Sequence, residues 1–191
     1  MIKNIVIFAS GEGSNTQKII DYFRSSEKVN ISLIVSNKAS ANVLNRAKNN
    51  TIPTLVLDRD LFYKGNTLIE ELKSMQTDLI VLAGFLWMIP EQLIKAFPNK
   101  IINIHPSLLP KFGGKGMYGM HVHKAVIASN EKESGITIHI VNEQYDEGKI
   151  IAQHACSISE NETAESLGEK IHKLEFEYFS KAIEFFLSEK Q

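Results

Sequence analysis

Short apolar runs alternate with longer amphipathic stretches through the first hundred residues. The apolar runs are rich in Ile, Val and Leu, as strands covered on both faces are. The predicted strands are residues 2–9, 31–36, 54–57, 78–83 and 101–104, and the predicted helices between them are 16–23, 41–50, 61–75 and 90–97. Strands joined through helices pair in parallel by right-handed crossovers. The alternation therefore predicts an open, mostly parallel sheet with helices on both faces.

The pattern changes in the second half of the chain. Residues 111–120 contain four glycines and predict a flexible loop, which a helix over 121–129 follows. The runs at 135–141 and 149–156 are joined by a short turn and predict an antiparallel hairpin added to the sheet. Residues 162–189 predict one long helix, with the apolar stripe Leu167, Ile171, Leu174, Tyr178, Ala182 and Phe186. We expect one domain over 1–191, of the α/β, Rossmann-like class.

Composition limits the classes of partner. The 191 residues carry 21 Lys and Arg against 22 Asp and Glu, without a basic run, so nothing indicates nucleic-acid binding. No apolar run is long enough to span a bilayer, and the apolar start lacks a cationic leader, so we expect no signal peptide and a cytoplasmic location. Cys156 is the single cysteine, which excludes a disulfide within the chain and a thiol zinc cluster. We expect no metal, and either a monomer or a homodimer.

A glycine-rich turn joins the first predicted strand to the first helix. Its sequence is Gly11-Glu12-Gly13-Ser14-Asn15. Amides at a helix start, together with the Ser14 hydroxyl and the Asn15 amide, can hold an anion. Thr16 occupies the third glycine position of a dinucleotide fingerprint, and no Gly-Lys-Ser/Thr follows, so neither nucleotide motif is present. The turn predicts a cradle for one phosphate, or else a tight turn with Ser14 as a helix cap.

Asn103 and His105 lie two positions apart at the end of a predicted strand. Their side chains therefore point to the same face. Pro106 follows at once and cannot continue a central ladder, which places both side chains at the exit of a buried strand. Ligands bind there in open α/β sheets. The alternative is a polar strand end that only satisfies its own backbone.

Asp146 lies in the turn Tyr145-Asp146-Glu147-Gly148 of the predicted hairpin. Asp before Gly is ordinary turn chemistry. If the hairpin packs beside the strand of His105, however, the carboxylate can reach the imidazole, raise its pKa and orient it. Thr137 and His139 share one face of the preceding strand, and we expect them to support the site.

Together Asn103, His105 and Asp146 supply a hydrogen-bond donor, a general acid and an anion. This set suits acyl-type transfer through a tetrahedral oxyanion. Ser107 and Cys156 have no neighbouring base in the sequence, so we expect direct transfer rather than a covalent enzyme intermediate.

Four segments, in this order, resemble the folate-dependent formyltransferase family. They are Ser-Gly-Glu-Gly-Ser-Asn at 10–15, Leu-Ala-Gly-Phe-Leu at 82–86, Asn-Ile-His-Pro-Ser-Leu-Leu-Pro at 103–110 and Tyr-Asp-Glu-Gly at 145–148. The third segment is specific to folate-dependent formyl transfer, and the first narrows the resemblance to the phosphoribosylglycinamide formyltransferases of purine synthesis. The resemblance covers essentially the whole chain. It implies formyl transfer from 10-formyltetrahydrofolate, as co-substrate, to the amine of glycinamide ribonucleotide.

The resemblance also implies a role for each part of the site. Asn103 and His105 would stabilise the oxyanion, and Asp146 would move the amine proton to the folate through a bound water. The residues implied to hold the ribonucleotide phosphate are Gly11, Gly13, Ser14, Asn15, His172 and Glu175. Those implied to line the folate are Phe85, Leu86, Trp87, Met88, Ile89, Ile101, Ile102, Asn103, Ile140, Val141, Asn142, Glu143 and Asp146. Trp87 stands where the family often carries Arg, and the pair His172 and Glu175 could equally be a solvated helix face.

Three alternative functions remain open. Methionyl-tRNA formyltransferase resembles this core but has a further C-terminal domain and a basic surface, and the formal charge of −1 disfavours it. Formyltetrahydrofolate deformylase resembles the core too, but usually has His where Pro106 stands. A non-catalytic phosphate-binding or nucleotide-binding α/β module would not need Asn103, His105 and Asp146 together. Release of formate without an amine, or transfer to another amine acceptor, would distinguish these functions from the expected one.

Overall fold

The computed structural model describes residues 1–189, which contain seven strands and seven helices. The chain forms two compact units, of which the first is Met1–Ile102 and the second starts at Asn103. The elements of the first unit are β1 (Lys3–Phe8), α1 (Ser14–Phe23), β2 (Val29–Ser36), α2 (Val43–Asn49), β3 (Thr54–Val56), α3 (Arg59–Lys64), α4 (Thr67–Ser74), β4 (Thr77–Leu82) and α5 (Glu91–Ala96). Strand β5 (Ile101–His105) begins in the first unit and ends in the second.

The first unit is built on four parallel strands in the order β3-β2-β1-β4. Strand β1 is central, and its residues Ile5 to Phe8 are fully buried, because a strand with neighbours on both sides and cover on both faces has no exposed position. Each parallel connection runs through at least one helix, as crossovers require. The βαβ alternation predicted for the first half is confirmed.

One predicted helix is wrong. The sequence pattern favoured a continuous helix over 61–75, but the structure has two helices, α3 and α4, separated by Gly65 and Asn66. Asp58 caps α3 by accepting a hydrogen bond from the Leu61 amide at 3.0 Å, which starts the helix earlier than predicted. Gly65 ends α3, with its amide donating to the Leu61 carbonyl, and Asn66 is the N-cap of α4. Gly and Asn favour helix ends, and that local preference outweighed the apolar periodicity.

The second unit contains α6 (Met120–Ala128), β6 (Glu133–Ile140), β7 (Ile150–Ser157) and α7 (Ala164–Ser188). Strands β6 and β7 are antiparallel, with Thr137 opposite Gln153. Gly135 has no room for a side chain, because a Cβ there would overlap the His154 carbonyl and approach Leu108 Cδ2 to 2.7 Å. The open, mostly parallel α/β class with an antiparallel C-terminal hairpin and a long C-terminal helix is thus confirmed. The single domain stays a prediction.

The long helix buries Leu167, Ile171 and Ala182 of the predicted apolar stripe, but its main buried row differs from that stripe. Its buried residues include Leu167, Ile171, Glu175, Phe179 and Ile183, which follow one another at intervals of four. Leu174, Tyr178 and Phe186 are only partly buried. The apolar pattern missed this row because a glutamate occupies its middle position.

Side-chain and backbone groups stabilise the start of α7. Thr163 and Ser166 form a reciprocal capping box, in which each side chain accepts from the other's amide at 3.1 Å. Glu162 accepts hydrogen bonds from Lys170, Ser166 and Ser159. In residues 1–189, no helix combines the length and the apolar character needed to cross a membrane.

Glu162→Gln should destabilise the protein near neutral pH but not in acid. The hydrogen bonds from Lys170 and Ser166 lower the pKa of Glu162 from its ordinary 4.5 to about 2. A carboxyl group with a lowered pKa in the folded state stabilises that state fully above pH 4.5, and the stabilisation is lost as the pH falls towards 2. Urea unfolding of both proteins at several pH values should show a difference that shrinks below pH 4.5. Exposed Glu160→Gln is the control, and an equal difference at all pH values would contradict the assignment.

Candidate active site

Four polar side chains meet in the second unit where β5 ends. Asn103 Nδ2 donates to His139 Nε2 at 3.1 Å. His105 Nδ1 lies 3.5 Å from Asp146 Oδ2, and His139 Nε2 lies 3.6 Å from Asp146 Oδ1. Both imidazoles are almost completely buried, at 3% and 2% exposure. The structure therefore brings together the three predicted catalytic residues and the predicted supporting residue His139.

Hydrogen bonds determine which nitrogen of each imidazole carries the proton. His139 Nδ1 donates to the Ile140 carbonyl at 3.1 Å, so Nε2 is free to accept from Asn103. His105 Nε2 donates to the Phe112 carbonyl at 2.8 Å, which leaves Nδ1 of a neutral ring unprotonated and facing Asp146. Protonation at that Nδ1 would form an ion pair. The His105–Asp146 pair can therefore take up and release a proton.

Burial and charge act in opposite directions on the pKa of His105. Burial lowers the pKa below its ordinary value, while the Asp146 carboxylate and the Phe112 carbonyl oppose that shift. A protonated His105 ring therefore loses its proton more readily than a histidine in water does, as a general acid requires.

The backbone at Asp146 has a left-handed conformation, with φ of 57°. Its Oδ2 accepts from the Gly114 amide at 2.9 Å. Burial tends to raise the pKa of Asp146, but attraction to His139 and His105 and the Gly114 hydrogen bond outweigh it, so the pKa is lowered. Asp146 therefore stays ionised at neutral pH and can stabilise a proton on His105.

Thr137 holds the turn that follows His105. Its hydroxyl donates to the Ser107 carbonyl at 2.7 Å and accepts from the Leu109 amide at 3.0 Å. Gln153, opposite Thr137 in the hairpin, donates to Thr137 Oγ1 and to the Leu109 carbonyl, both at 2.9 Å. The sequence reasoning found Thr137 but missed Gln153, the Phe112 carbonyl and the Gly114 amide. Of these three groups, only Gln153 could have been found from the sequence, by working out which residue lies opposite Thr137 in the hairpin.

The predicted phosphate turn lies in the first unit, between β1 and α1. Gly13 is the N-cap of α1, with φ of 70°, and Ser14 is the first helical residue rather than the cap. Gly11 is exposed, and Gly13, Ser14 and Asn15 are partly buried. The Gly11 carbonyl accepts from the Val43 amide at 3.1 Å, and the Glu12 carbonyl accepts from Arg46 Nε at 2.6 Å. Helix α2 therefore holds the turn, and the first amides of a ten-residue helix lie beside it.

The predicted folate segment 85–89 follows β4 in the first unit. Leu86 and Met88 are 45% and 39% exposed, whereas Ile89 is buried. Phe85 packs edge-on against Phe8 and Phe62. The Arg59 guanidinium lies over the rings of Trp87 and Tyr63, at 5.7 and 5.9 Å from their centroids. Position 87 itself carries Trp rather than the Arg that the family often has there, but the cation of Arg59 lies beside it.

The other predicted folate residues differ in exposure. Ile101 and Ile102 are buried in β5 at 1% and 0%, so their side chains offer no surface to a ligand, and only their backbone could contact one. Ile140, Val141 and Asn142 are partly buried, and Glu143 is exposed. This second group leads into the turn that carries Asp146.

His172 and Glu175 form an ion pair on α7 in the second unit. His172 Nδ1 lies 2.8 Å from Glu175 Oε2. The hydrogen bond to Glu175 raises the pKa of His172 above its ordinary value, although partial burial opposes the shift. His172 is exposed, but Glu175 is buried at 6%. The pair is therefore not a solvated helix face, because its carboxylate lies inside the unit.

Metal ligands do not cluster in the part of the chain that the structure describes. Among residues 1–189, no group of three or more His, Cys, Asp or Glu side chains is arranged to hold a metal ion.

The fold and the site define an α/β protein with an amide, two imidazoles and a carboxylate at a strand end. The formyl transferase family model matches residues 3–183. Phosphoribosylglycinamide formyltransferase from Bacillus subtilis (strain 168) is 36% identical over 187 residues, which cover 95% of this chain and 93% of that protein. The solved structure of phosphoribosylglycinamide formyltransferase from Bacillus halodurans has a TM-score of 0.88 at 36% identity, covering 99% of this chain and 97% of that chain.

The chain belongs to the formyl transferase family. The resemblance to phosphoribosylglycinamide formyltransferases is confirmed. A chloroplastic phosphoribosylglycinamide formyltransferase from Arabidopsis thaliana is 43% identical over 183 residues, which cover 90% of this chain. The chain spans 62% of the length of that plant relative and 62% of the one from Vigna unguiculata.

Gly13→Ala should destabilise the first unit by about 2–4 kcal/mol, from left-handed strain and an enforced shift of packed groups. The backbone φ of 70° disfavours a side chain, and a Cβ would lie 2.6 Å from Val43 Cγ2 and 2.9 Å from Val43 Cα. Gly11→Ala is the matched control, because nothing lies within 4 Å of its Cβ. Denaturant unfolding measures both, and equal stabilities would show that the turn adapts to a side chain.

Proposed function

We propose that this chain transfers a formyl group from 10-formyltetrahydrofolate to the amine of glycinamide ribonucleotide, a step of purine biosynthesis. The cluster of Asn103, His105 and Asp146 carries the proposal, because it supplies an amide donor, an imidazole and a carboxylate within one buried site. The names of the relatives from Bacillus subtilis and Arabidopsis thaliana support the same substrate.

The proposed chemistry is a direct transfer. The amine nitrogen attacks the formyl carbon, the carbonyl oxygen becomes an oxyanion, and the bond from that carbon to the folate nitrogen then breaks. Asn103 donates a hydrogen bond to the oxyanion. His105 stabilises it too, once its Nε2–H exchanges the Phe112 carbonyl for the substrate oxygen. Asp146, through a water, receives the proton that the amine loses and passes it to the folate nitrogen, so that no net proton is released.

We propose phosphate ligands in each unit taken by itself: the amides and side chains of Gly11, Gly13, Ser14 and Asn15 in the first unit, and His172 in the second. A helix start attracts an anion, and the raised pKa of His172 favours a positive charge on its ring. Glu175 would then act through His172, by keeping that ring protonated.

In the second unit, the folate would contact residues 140–143, with its reacting nitrogen towards Asn103 and Asp146. In the first unit, residues 85–89 are the proposed folate contacts. Exposed Leu86 and Met88 offer apolar surface for it. Backbone groups of Ile101 and Ile102, also in the first unit, are the remaining proposed folate contacts. A cytoplasmic location and a monomeric or homodimeric state belong to the same proposal, and the near-neutral balance of 21 basic and 22 acidic residues disfavours a nucleic-acid partner.

The test is turnover of 10-formyl-5,8-dideazafolate, followed by absorbance, with and without glycinamide ribonucleotide. Turnover that requires the ribonucleotide is the expected result. Turnover without it would indicate a deformylase-like hydrolase, which is the second candidate because a water held by Asp146 could attack the same carbon. Folate binding without turnover would indicate another amine acceptor or a binding module, and would overturn the proposal.

His105→Ala should lower kcat by roughly 10²- to 10³-fold, the range for loss of one hydrogen-bond donor to the oxyanion. The KM values should change little, because the contact with the oxyanion forms only in the transition state. His121→Ala is the matched control, since His121 is exposed and lies outside the cluster. Near-normal turnover of His105→Ala would remove His105 from the mechanism.

Asp146→Asn should lower kcat by a similar factor, roughly 10²- to 10⁴-fold, because an amide cannot relay the proton. Asn has nearly the same shape as Asp, so its side-chain oxygen can still accept the hydrogen bond from the Gly114 amide. Glu147→Gln, at the next and exposed position, makes the same change of charge and should leave kcat unaltered. A loss shared equally by both variants would point to the net charge of the turn instead.

A further inference from the structure

Gln153 is an exposed residue of β7 whose side chain reaches the segment that follows His105. Its Nε2 donates to Thr137 Oγ1 and to the Leu109 carbonyl, both at 2.9 Å. The side chains of Gln153 and Thr137 meet because the two residues lie directly opposite each other in the hairpin register. An exposed glutamine is thus tied by both of its amide hydrogens to the surroundings of the candidate active site.

These contacts complete the hydrogen bonding of a buried hydroxyl. Thr137 is fully buried, and a hydroxyl can accept two hydrogen bonds and donate one. Its oxygen accepts from Gln153 Nε2 and from the Leu109 amide at 3.0 Å. Its proton is therefore left for the Ser107 carbonyl, which lies 2.7 Å away. Gln153 in this way helps to fix the direction in which Thr137 donates.

The turn held by these bonds carries the backbone acceptor of His105. The Ser107 hydroxyl donates to the Lys111 carbonyl at 2.7 Å, which closes the turn 107–111. Phe112 comes next along the chain, and its carbonyl accepts from His105 Nε2 at 2.8 Å. The place of the Phe112 carbonyl therefore depends on a turn that the hairpin holds from one side.

Two acceptors compete for the single proton of a neutral His105 ring. The Phe112 carbonyl lies 2.8 Å from Nε2, and Asp146 Oδ2 lies 3.5 Å from Nδ1. Because a carboxylate is the stronger acceptor, displacement of the Phe112 carbonyl would favour the tautomer with its proton on Nδ1. In that tautomer Nε2 carries a lone pair and cannot donate a hydrogen bond to an oxyanion.

We propose that Gln153 is a positioning residue for His105, which acts through the turn 107–111 and keeps the Phe112 carbonyl on Nε2. The His105 ring then stays in the tautomer that can donate to the oxyanion. The inference rests on the proposed function and deepens it. It assigns to Gln153 a role in the same reaction without a contact to either substrate.

The first experiment observes the tautomer of His105 by the ¹⁵N chemical shifts of its ring, in the folded protein without substrates. Spectra are recorded above the pKa of His105 and assigned by comparison with His105→Ala. The unaltered protein should carry the proton on Nε2. Gln153→Met has a similar length but no donor, and should change the tautomer ratio about tenfold towards Nδ1–H, as expected for loss of one hydrogen bond. An unchanged ratio would overturn the inference.

The second experiment measures turnover per folded molecule, with the folded fraction determined by circular dichroism. Gln153→Met should lower kcat by roughly three- to tenfold, because fewer rings can donate to the oxyanion. The KM values for both substrates should stay within about twofold, since that contact forms in the transition state. Ser157→Ala is the matched control, as an exposed position on the same face of β7. A kcat that equals that of the control would contradict the assignment.

Gln153→Glu separates hydrogen bonding from packing, because it keeps the shape of the side chain. An ionised Glu only accepts hydrogen bonds, so it cannot donate to the Leu109 carbonyl and it draws the Thr137 proton away from Ser107. It should change the tautomer ratio and kcat at least as much as Gln153→Met does. Normal values in Gln153→Glu would show that only the shape at this position matters.

The two levels of the argument fail in different ways. If the unaltered protein does not transfer formyl to glycinamide ribonucleotide, the proposed function fails. The tautomer comparison needs no substrate, so it still tests whether Gln153 positions His105. If turnover is normal in the unaltered protein and the tautomer does not respond to either Gln153 variant, this inference alone fails.

Discussion

One ionised carboxylate organises the second unit. Asp146 lies within 3.6 Å of two buried imidazoles and accepts from the Gly114 amide. A buried charge is tolerated only where such partners surround it. The same contacts bring the end of β5, the end of β6 and the loop after Phe112 to one point. The left-handed backbone at Asp146 is strained, and these contacts hold it in that conformation. Such strain is common at functional sites.

A second buried carboxylate has a related role on the long helix. Glu175 occupies the middle of a row that is otherwise apolar, from Leu167 to Ile183. A charge in a core row opposes the local rule for an amphipathic helix, and departures of this kind mark functional positions. Its hydrogen bond raises the pKa of His172, and its charge acts on His123. Two carboxylates thus influence the protonation of three histidines: His105, His123 and His172.

Much of the fold followed from local patterns, but their limits are visible at particular residues. Strand β1 and the β6–β7 hairpin follow from apolar runs and turns, and Asn103 and His105 share a face because strand side chains alternate. The break at Gly65 and Asn66 was missed because periodicity outweighed two helix-ending residues in the prediction. The buried row through Glu175 was missed because the prediction included only apolar residues in the stripe, and so excluded a glutamate that has the right spacing.

The sequence by itself determined the order of strands and helices, the family and the chemical types in the site, because periodicity and motifs are local properties of the chain. Tertiary structure decided which groups meet. The Phe112 carbonyl and the Gly114 amide are backbone groups with no sequence signal, and Gln153 reaches Thr137 only through the hairpin register. The burial of Glu175 and His123 depends on the packing of α6 against α7. The pKa directions follow from that burial, because desolvation depends on what surrounds a group in space and not on its neighbours along the chain.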